Sequence, residues 1–397
     1  MPENSDTASP DRDLDLILFG ATGFTGGLTA EYLAEHGPAG LRWALAGRSL
    51  DKLEKVRAHL DTIKPGSMDL ELIVVDAADE AALATAVART KVVATTVGPY
   101  LQLGGPLVGA CAAAGTDYVD LTGEPEFVDR SWLEHHETAV ASGARIVHAC
   151  GFDSIPHDLG AYYTVLQLKA AGPVTMRGVV RGDGTFSGGT FHSAMGAFSR
   201  AKEMAATAKK RRRAEARPEG RSSRAVSGKP GKDPVLGYYL LPLPTIDPQV
   251  VARSGAALTS YGPEFRYSHF AGTKTLRYAV GGAVGVTLIG LAAQVKPARN
   301  FLLGKVKQGE GPDEAKRAKS SFSVDFVAEG DGRTLHTRVS GGDPGYGETA
   351  KMLSEAALSL AFDDNPATAG SVTTAQAMGD NLLGRLRAAG IVFEVVG

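Results

Sequence analysis

A chain of 397 residues with 43% hydrophobic content is long enough for two domains with sizeable cores. Its formal net charge of -2 excludes a surface that attracts nucleic acid as a whole, so we expect no nucleic-acid partner. The two cysteines, Cys111 and Cys150, form no metal-binding pattern and argue against a disulfide framework, so we expect no metal site. Residues 1–13 are polar and acidic, unlike a signal peptide, which predicts a disordered tail on a cytoplasmic protein.

An apolar strand from Leu14 to Phe19 runs directly into a turn with three glycines at three-residue spacing. Gly20 would permit a tight turn, Gly23 would let the backbone approach a pyrophosphate, and Gly26 would let the next helix pack on the strand. Free N–H groups at the start of that helix favour phosphate. The alternative is that the glycines serve only a close crossing of strand and helix. The predicted cofactor residues of this turn are Gly20, Thr22, Gly23, Phe24, Thr25 and Gly26.

The second strand, Leu41 to Ala46, leads into Arg48 and Ser49 instead of an acid. A carboxylate at this position would bind the free ribose hydroxyl of NAD, whereas an arginine forms a forked, charge-assisted contact with the 2′-phosphate of NADP. The sequence therefore predicts NADP(H), bound by Arg48 with help from the Ser49 hydroxyl. The alternative is that Ser49 caps the following helix and Arg48 faces solvent.

Later predicted strands continue the alternation of strand and helix, and they end in residues that would face the crevice of a parallel sheet. Asp76 follows the strand from Leu70 to Val75 and is a candidate acceptor for the adenine amino group. Gly98, Pro99 and Tyr100 follow the next strand and would lie along the nicotinamide half of the cofactor. Residues 14–160 are thus predicted to form a Rossmann domain, a doubly wound parallel sheet in an α/β protein.

Beyond residue 160 we predict a substrate or interaction domain over residues 161–345, of α+β type with a mixed or antiparallel sheet. A strand from Thr175 to Arg181 is followed by a glycine-rich turn at 182–189 and a helix over 190–213. The basic run over 209–232 is typical of a mobile loop. It is either a solvated helix end or a patch for anionic lipid or an acidic carrier. Three polar residues would face the cleft if the turn folds over it: Ser187, Thr190 and His192.

The apolar segment 278–303 begins with a stretch, residues 278–295, that is borderline in length for crossing a bilayer and contains several glycines. Three interpretations of its first part, 278–295, stay open: a spanning helix, a segment lying on a surface or lining an access channel, and a buried helix. The surface interpretation implies peripheral contact with the inner face of the plasma membrane. A homodimer is also left open.

Two alternating stretches, Ser321 to Glu329 and Thr334 to Ser340, surround Asp331 and Gly332 and predict a hairpin. We assign residues 346–397 to a C-terminal segment of two helices and a strand. The predicted elements are a helix at Tyr346 to Ala361, a helix at Ala375 to Ala388 and a strand at Ile391 to Val395.

Motifs along most of the chain resemble the saccharopine dehydrogenase-like oxidoreductases, and within them the branch of actinobacterial trans-acting enoyl reductases. This resemblance implies a Rossmann domain, a second α/β domain, an NADP-type cofactor and a C-terminal segment that returns to the Rossmann domain. It does not imply saccharopine as the substrate. The motifs are residues 20–26, 46–49, 97–100, 118–124, 151–160, 309–312, 342–350 and 377–380.

A reductase of this type must accept hydride on the substrate and supply a proton. Tyr100 is the first candidate donor, and Asp153 and His157 are further catalytic candidates, His157 as a proton relay. In the alternative interpretations, Asp153 only caps the next helix and Tyr100 only forms part of the pocket wall. Asp120 and Glu124, acids that follow a strand, fit either ribose binding or catalysis.

These residues leave three hypotheses for the function of the protein. The leading hypothesis is an NADPH-dependent reductase of an enoyl or other apolar acyl substrate, free or presented on a carrier, in lipid metabolism. The second is an imine or amino-acid-type reductase, for which only Arg177 and Arg181 have a spacing suited to holding carboxylates. The third is a non-catalytic NADP sensor or membrane-associated scaffold.

Overall fold

The computed structural model describes residues 12–182, 195–305 and 312–397, and its N-terminal lobe is built on a parallel sheet. The strands of this sheet are β1 Leu14–Phe19, β2 Trp43–Gly47, β3 Glu71–Val74, β4 Thr90–Thr95, β5 Asp117–Asp120, β6 Arg145–Val147 and β14 Gly370–Val372. They lie in the order β14-β6-β5-β4-β1-β2-β3. The interior strand β1, beside the central strand β4, is buried along its whole length, as expected for a parallel strand covered on both faces. The predicted doubly wound sheet is confirmed.

Helices cover this sheet and connect its strands: α1 Phe24–His36, α2 Leu50–Ile63, α3 Glu80–Val87, α4 Tyr100–Leu103, α5 Gly105–Ala114, α6 Pro125–Ser142 and α7 Ile155–Leu168. Proline lies in the first turn of α5, α6 and α7, where its missing N–H costs no helical hydrogen bond. Helix α7 leaves the sheet after β6 and leads into the second lobe.

The second lobe is built on a mixed sheet, which confirms the second fold prediction. Its strands are β7 Val174–Gly182, β8 Ser222–Ala225, β9 Gly231–Lys232, β10 Tyr239–Pro242, β11 Glu264–Thr273, β12 Phe322–Gly330, β13 Arg333–Gly341 and β15 Val392–Val395. The order is β15-β13-β12-β7-β11-β10-β9, with β8 paired to β11. Asp331 and Gly332 both have positive φ at the β12–β13 turn, so the predicted hairpin closes with the turn geometry that favours right-handed twist.

The remaining helices are α8 Ala201–Ala214, α9 Asp247–Ala257, α10 Leu276–Gln294, α11 Lys296–Lys305, α12 Glu314–Arg317, α13 Gly347–Phe362 and α14 Thr374–Ala388. The prediction of a mobile basic loop over 209–232 is wrong, because this stretch contributes the end of α8 and strands β8 and β9. Arg211 is buried against Asp129, and Arg221 donates to the carbonyl groups of Gly255 and Gly262. The predicted turn at 183–189 lies outside the described residues, as do Ser187, Thr190 and His192.

The ends of the chain differ from the sequence prediction. Helix α13 packs on α1 and β4 of the first lobe, but β15 pairs with β13 of the second sheet instead of returning to the first. Phe393 of β15 is buried there against Tyr163, which explains the pairing. At the other end the predicted tail extends too far, because Arg12 donates to the carbonyl group of Thr90 at 2.8 Å.

One continuous core joins the two lobes, and α7 lies at its centre. The core contains Leu16 and Leu18 of the first sheet together with Val324 and Phe326 of the second. Gly160 of α7 lies directly under the Phe326 ring, and a Cβ at this position would come within 2.3 Å of Phe326 Cε2. The α7 backbone therefore packs directly against side chains of the second sheet, with no room for a side chain at position 160.

Replacing Gly160 with Ala should destabilise the protein by about 1–3 kcal/mol, because a methyl group would push α7 off the second sheet. Gly384→Ala is the matched control, since Gly384 is an exposed helical glycine and its added methyl group would have no atom within 4 Å. This control should gain up to roughly 1 kcal/mol from helix propensity. Urea unfolding measures both, and equal stability of the two variants would contradict the close packing.

Candidate cofactor and substrate site

The glycine turn after β1 has the geometry that brings a helix N-terminus close to a strand. Gly20 has a φ of 86° and donates its N–H to the Ala46 carbonyl group at 3.0 Å. A Cβ on Gly26 would lie 2.0 Å from the Gly20 carbonyl oxygen. The strand–helix crossing thus requires glycine at both positions. At the exposed Gly23 a Cβ would meet the Gly20 oxygen at 3.4 Å, so packing does not explain this third glycine.

Helix α1 begins at Phe24 with no side chain capping its first N–H groups. Thr22 is exposed, and Phe24 and Thr25 are half-buried, so the turn opens toward solvent. The Phe24 ring packs edge-on against Tyr346 at 4.8 Å, and the Arg317 guanidinium lies 5.6 Å from the same ring. Sequence reasoning missed Arg317 and Tyr346, since only the folded chain brings them to the turn. Phosphate binding by the turn stays a prediction.

The end of β2 leaves Arg48 exposed, with no hydrogen bond or ion pair to any residue that the structure describes. Ser49 occupies the N-cap position of α2, but its hydroxyl makes no capping hydrogen bond, which removes the capping interpretation. Asp76 follows the neighbouring strand β3, and its Oδ1 accepts the N–H of Ala78 at 2.9 Å. Arg48 and Ser49 therefore present a free guanidinium and a free hydroxyl at the edge of the sheet.

Gly98 and Pro99 follow β4 and lead into Tyr100 at the start of α4, and the structure does not support Tyr100 as a proton donor. The side chain is buried, and its hydroxyl donates to the Thr95 carbonyl group at 3.1 Å and accepts the Leu121 N–H at 3.2 Å. Burial and the negative charge of Asp120 raise the pKa of Tyr100 well above its usual value. This prediction is corrected, because the hydroxyl is used to join β4 to β5.

Two acids considered for the ribose also have structural roles. Glu124 accepts the N–H groups of Tyr100 and Leu101 at 3.1 and 3.0 Å and so caps α4. Asp120 is fully buried and accepts the Tyr118 hydroxyl at 3.0 Å and His148 Nδ1–H at 2.7 Å. Both carboxylates are occupied by these hydrogen bonds within the protein, so neither is placed to bind the cofactor ribose.

Asp153 lies at the crevice between β5 and β6, which agrees with its predicted position. A Cβ on Gly123, just after β5, would come within 3.0 Å of Asp153 Oδ2, so the carboxyl group faces this edge. It is half-buried and makes no hydrogen bond with the described residues. Burial raises the pKa of Asp153 to about 7, and the charge of Asp247 acts in the same direction. The alternative role as a helix cap is not observed.

His157 lies deeper and does not reach the crevice. Its side chain is 1% exposed, and its Nδ1 is 3.1 Å from Asp247 Oδ1. Burial lowers the pKa of His157, although Asp247 opposes the shift. Asp158, its neighbour, accepts the Thr374 hydroxyl at 2.7 Å and the Ala375 N–H at 2.8 Å, which fixes the start of α14. Neither residue is placed to donate a proton to a substrate in the crevice.

A cavity of about 600 Å³ lies on the second sheet and is lined by Arg181, Phe322, Arg338 and Gly342, among others. Phe322 contacts the Phe152 ring at 5.0 Å, so the cavity borders the loop that carries Asp153. The predicted arginine pair does not act together here. Arg177 is paired with Asp233 at 2.5 Å and with Glu329 at 3.0 Å, so only Arg181 faces the cavity.

The parallel sheet, the glycine turn and Arg48, which is unpaired among the described residues, define a dinucleotide-binding protein. Residues 16–147 match the family model of the saccharopine dehydrogenase NADP binding domain. A Mycobacterium bovis protein named trans-acting enoyl reductase is 36% identical, with 96% of this chain and 97% of that protein covered. A Mycobacterium tuberculosis protein provisionally given the same name is 39% identical, with 98% of each covered.

The fold is shared with apo saccharopine dehydrogenase (L-Glu forming) of Saccharomyces cerevisiae, with a TM-score of 0.54, 12% identity, and 97% of this chain and 100% of that chain covered. The chain belongs to the trans-acting enoyl reductase branch of the saccharopine dehydrogenase-like family. It is an NADP(H)-dependent oxidoreductase, as the sequence predicts.

Replacing Gly26 with Ala should weaken NADPH binding by roughly tenfold or more, because the methyl group displaces the turn and breaks several backbone contacts to phosphate. Gly27→Ala is the matched control, since its Cβ would meet the Ala21 carbonyl oxygen at an ordinary 3.9 Å. Fluorescence titration of each variant with NADPH measures the difference. Unchanged affinity in a folded Gly26→Ala variant would contradict the assignment of the turn.

Proposed function

We propose that the protein uses NADPH to reduce the carbon–carbon double bond of an enoyl thioester presented on an acyl carrier. The observation that carries the proposal is the exposed, unpaired Arg48 beside the open start of α1, in a chain that matches named trans-acting enoyl reductases over nearly its full length. A free guanidinium at this strand end suits the 2′-phosphate of NADPH.

The chemistry requires a hydride donor and a proton donor on the two carbons of the double bond. NADPH, when bound, supplies the hydride to the β carbon. Asp153 is the proposed source of the proton for the α carbon, because its carboxyl group faces the crevice and makes no hydrogen bond with the described residues. The carboxyl oxygen loses this proton to the enolate and regains one from solvent.

The side chains around the crevice favour this reaction over an amino-acid-type reduction. A substrate with an α-carboxylate needs a forked cation at the site, and Arg177 already forms two ion pairs. The remaining Arg181 packs its guanidinium on the Tyr238 ring at 4.2 Å. Arg338 also lines the cavity but is paired with Asp325 at 2.8 Å. The one remaining cation, Arg181, suits a single polar group of a thioester carrier better than the carboxylates of an amino-acid-type substrate.

Purified protein should oxidise NADPH on addition of an enoyl thioester and should not oxidise it on addition of an imine precursor. Arg48→Ala should weaken NADPH binding by roughly 10- to 100-fold and leave NADH binding unchanged, since charge-assisted hydrogen bonds contribute about 1.5–3 kcal/mol. Asp153→Asn should retain NADPH binding but lower kcat by about 100-fold. NADPH binding without turnover on either substrate class would favour the sensor hypothesis and contradict the reductase.

We further propose that the protein acts in the cytoplasm and contacts the inner face of the plasma membrane through α10. This helix is, among the described residues, long and apolar enough to cross a membrane by length and composition. Val284, Leu288 and Leu291 are each more than half exposed, which is unfavourable in water. The chain from 274 to 305 contains five cations and no acid, a pattern that suits anionic lipid.

The full-length protein should float with vesicles that contain phosphatidylglycerol and should bind vesicles of phosphatidylcholine alone less strongly, because the flanking cations add electrostatic attraction. Leu288→Asp combined with Leu291→Asp should abolish flotation. Leu50→Asp is the control, because Leu50 is also exposed but lies in the first turn of α2 on the other lobe. Equal flotation of both variants would exclude α10 as the contact.

A further inference from the structure

Three buried side chains from separate elements meet beneath the crevice. They are His157 of α7, Asp247 at the start of α9 and His269 of β11. Their side chains are 1%, 2% and 1% exposed. His157 Nδ1 lies 3.1 Å from Asp247 Oδ1, His269 Nε2 lies 3.5 Å from Asp247 Oδ2, and one ligand atom of each residue lies within 4.8 Å of the others.

Each of the three side chains has at least one buried polar atom that makes no hydrogen bond. His157 Nδ1, Asp247 Oδ1 and His269 Nε2 are all buried and without a hydrogen-bond partner. His157 Nδ1 and Asp247 Oδ1 lie 3.1 Å apart but do not form a hydrogen bond of acceptable geometry. Buried polar atoms are nearly always satisfied, so unpartnered atoms on three neighbouring side chains indicate a missing ligand.

Residues outside the cluster form hydrogen bonds with two of its members, Asp247 and His269. Thr245 donates its hydroxyl to Asp247 Oδ2 at 2.6 Å, and Tyr267 lies with its hydroxyl 3.1 Å from His269 Nδ1. A hydrogen bond at Nδ1 orients the imidazole and leaves Nε2 free to bind a metal, which is the usual arrangement around metal-binding histidines. The Phe152 ring covers His157 at 5.4 Å and closes the cluster toward the crevice.

We propose that His157, Asp247 and His269 bind a divalent transition-metal ion, of which zinc best suits two imidazoles and a carboxylate. Asp247 supplies negative charge to offset the cation, and both imidazoles act as neutral ligands. The ion has a structural role, because the cluster is closed to solvent and substrate. It joins α7, which follows the first sheet, to α9 and β11 of the second lobe. His157 is thereby a ligand instead of the proton relay expected from sequence.

This site could not be found from spacing. The two histidines are more than a hundred residues apart in the chain, and Asp247 lies between them without a neighbouring histidine or cysteine. Short-range patterns identify metal sites whose ligands come from one hairpin or helix. Here the ligands share a position only after β11 has paired with β7 and α9 has packed on α7.

The first test measures the metal content of the wild-type, full-length protein purified without chelator or histidine tag. We expect about one zinc ion per chain. Removal of the ion by chelator should lower Tm, and addition of Zn²⁺ should restore it, since a ligand that binds only the folded state stabilises it. Co²⁺ added to the chelated protein should give the visible absorption of a site with nitrogen and oxygen ligands.

Variants locate the ion within the chain. Asp247→Asn and His269→Gln should lose the Co²⁺ absorption and the response of Tm to chelator. His336→Gln is the matched control, because His336 also lies beside a buried aspartate, Asp325, at 2.8 Å but outside the cluster. It should keep one ion per chain.

The proposal is overturned if wild-type protein holds no stoichiometric metal after incubation with Zn²⁺ or Co²⁺ and its Tm does not change. It is also overturned if folded Asp247→Asn and His269→Gln bind the ion as wild type does. The three residues would then be a buried group of two histidines beside a carboxylate with no metal. NADPH binding and circular dichroism report whether the variants fold, and the wild-type measurements decide the question if they do not.

Discussion

The packing of α7 between the two sheets is the constraint on which the rest of the structure depends. Gly160 lets the helix touch the Phe326 ring, and Asp158 holds the start of α14 through two hydrogen bonds. Because the core runs without a break from the first sheet to the second, the lobes keep one orientation. The loop before α7, which carries Phe152 and Asp153, is consequently held between the cofactor crevice and the cavity on the second sheet.

The cofactor half of the site is built mostly from backbone. A strand, a turn with a left-handed glycine and an uncapped helix start are enough to create a place for phosphate, whichever side chains surround it. We propose that selectivity for NADP(H) comes from one side chain at the neighbouring strand end. Arg48 can fulfil this role because no acid lies close enough to form an ion pair with it among the described residues.

The substrate half is built from side chains that several elements contribute, and many of the polar groups there support the fold. Tyr100, Asp120 and Glu124 have the positions expected of catalytic or ribose-binding residues, yet their polar atoms join neighbouring strands and helices. The residue type found at a strand end therefore says little about that residue's role until the hydrogen-bond partners of its side chain are known. Asp153 differs from these residues because its carboxyl group makes no hydrogen bond with the described residues and faces the crevice.

The sequence by itself determined the features that local geometry controls. Glycine spacing specified the turn, and alternation with an Asp-Gly pair specified the hairpin. Arg48, which replaces an acid after the second strand, indicated NADP(H). Tertiary structure alone decided which polar side chains have hydrogen-bond partners. It also placed β15 in the second sheet, left α10 exposed, and brought His157, Asp247 and His269 together. The physical reason is the separation along the chain of the residues involved. A turn depends on dihedral angles within a few residues, whereas burial and hydrogen-bond partners depend on residues a hundred or more positions apart.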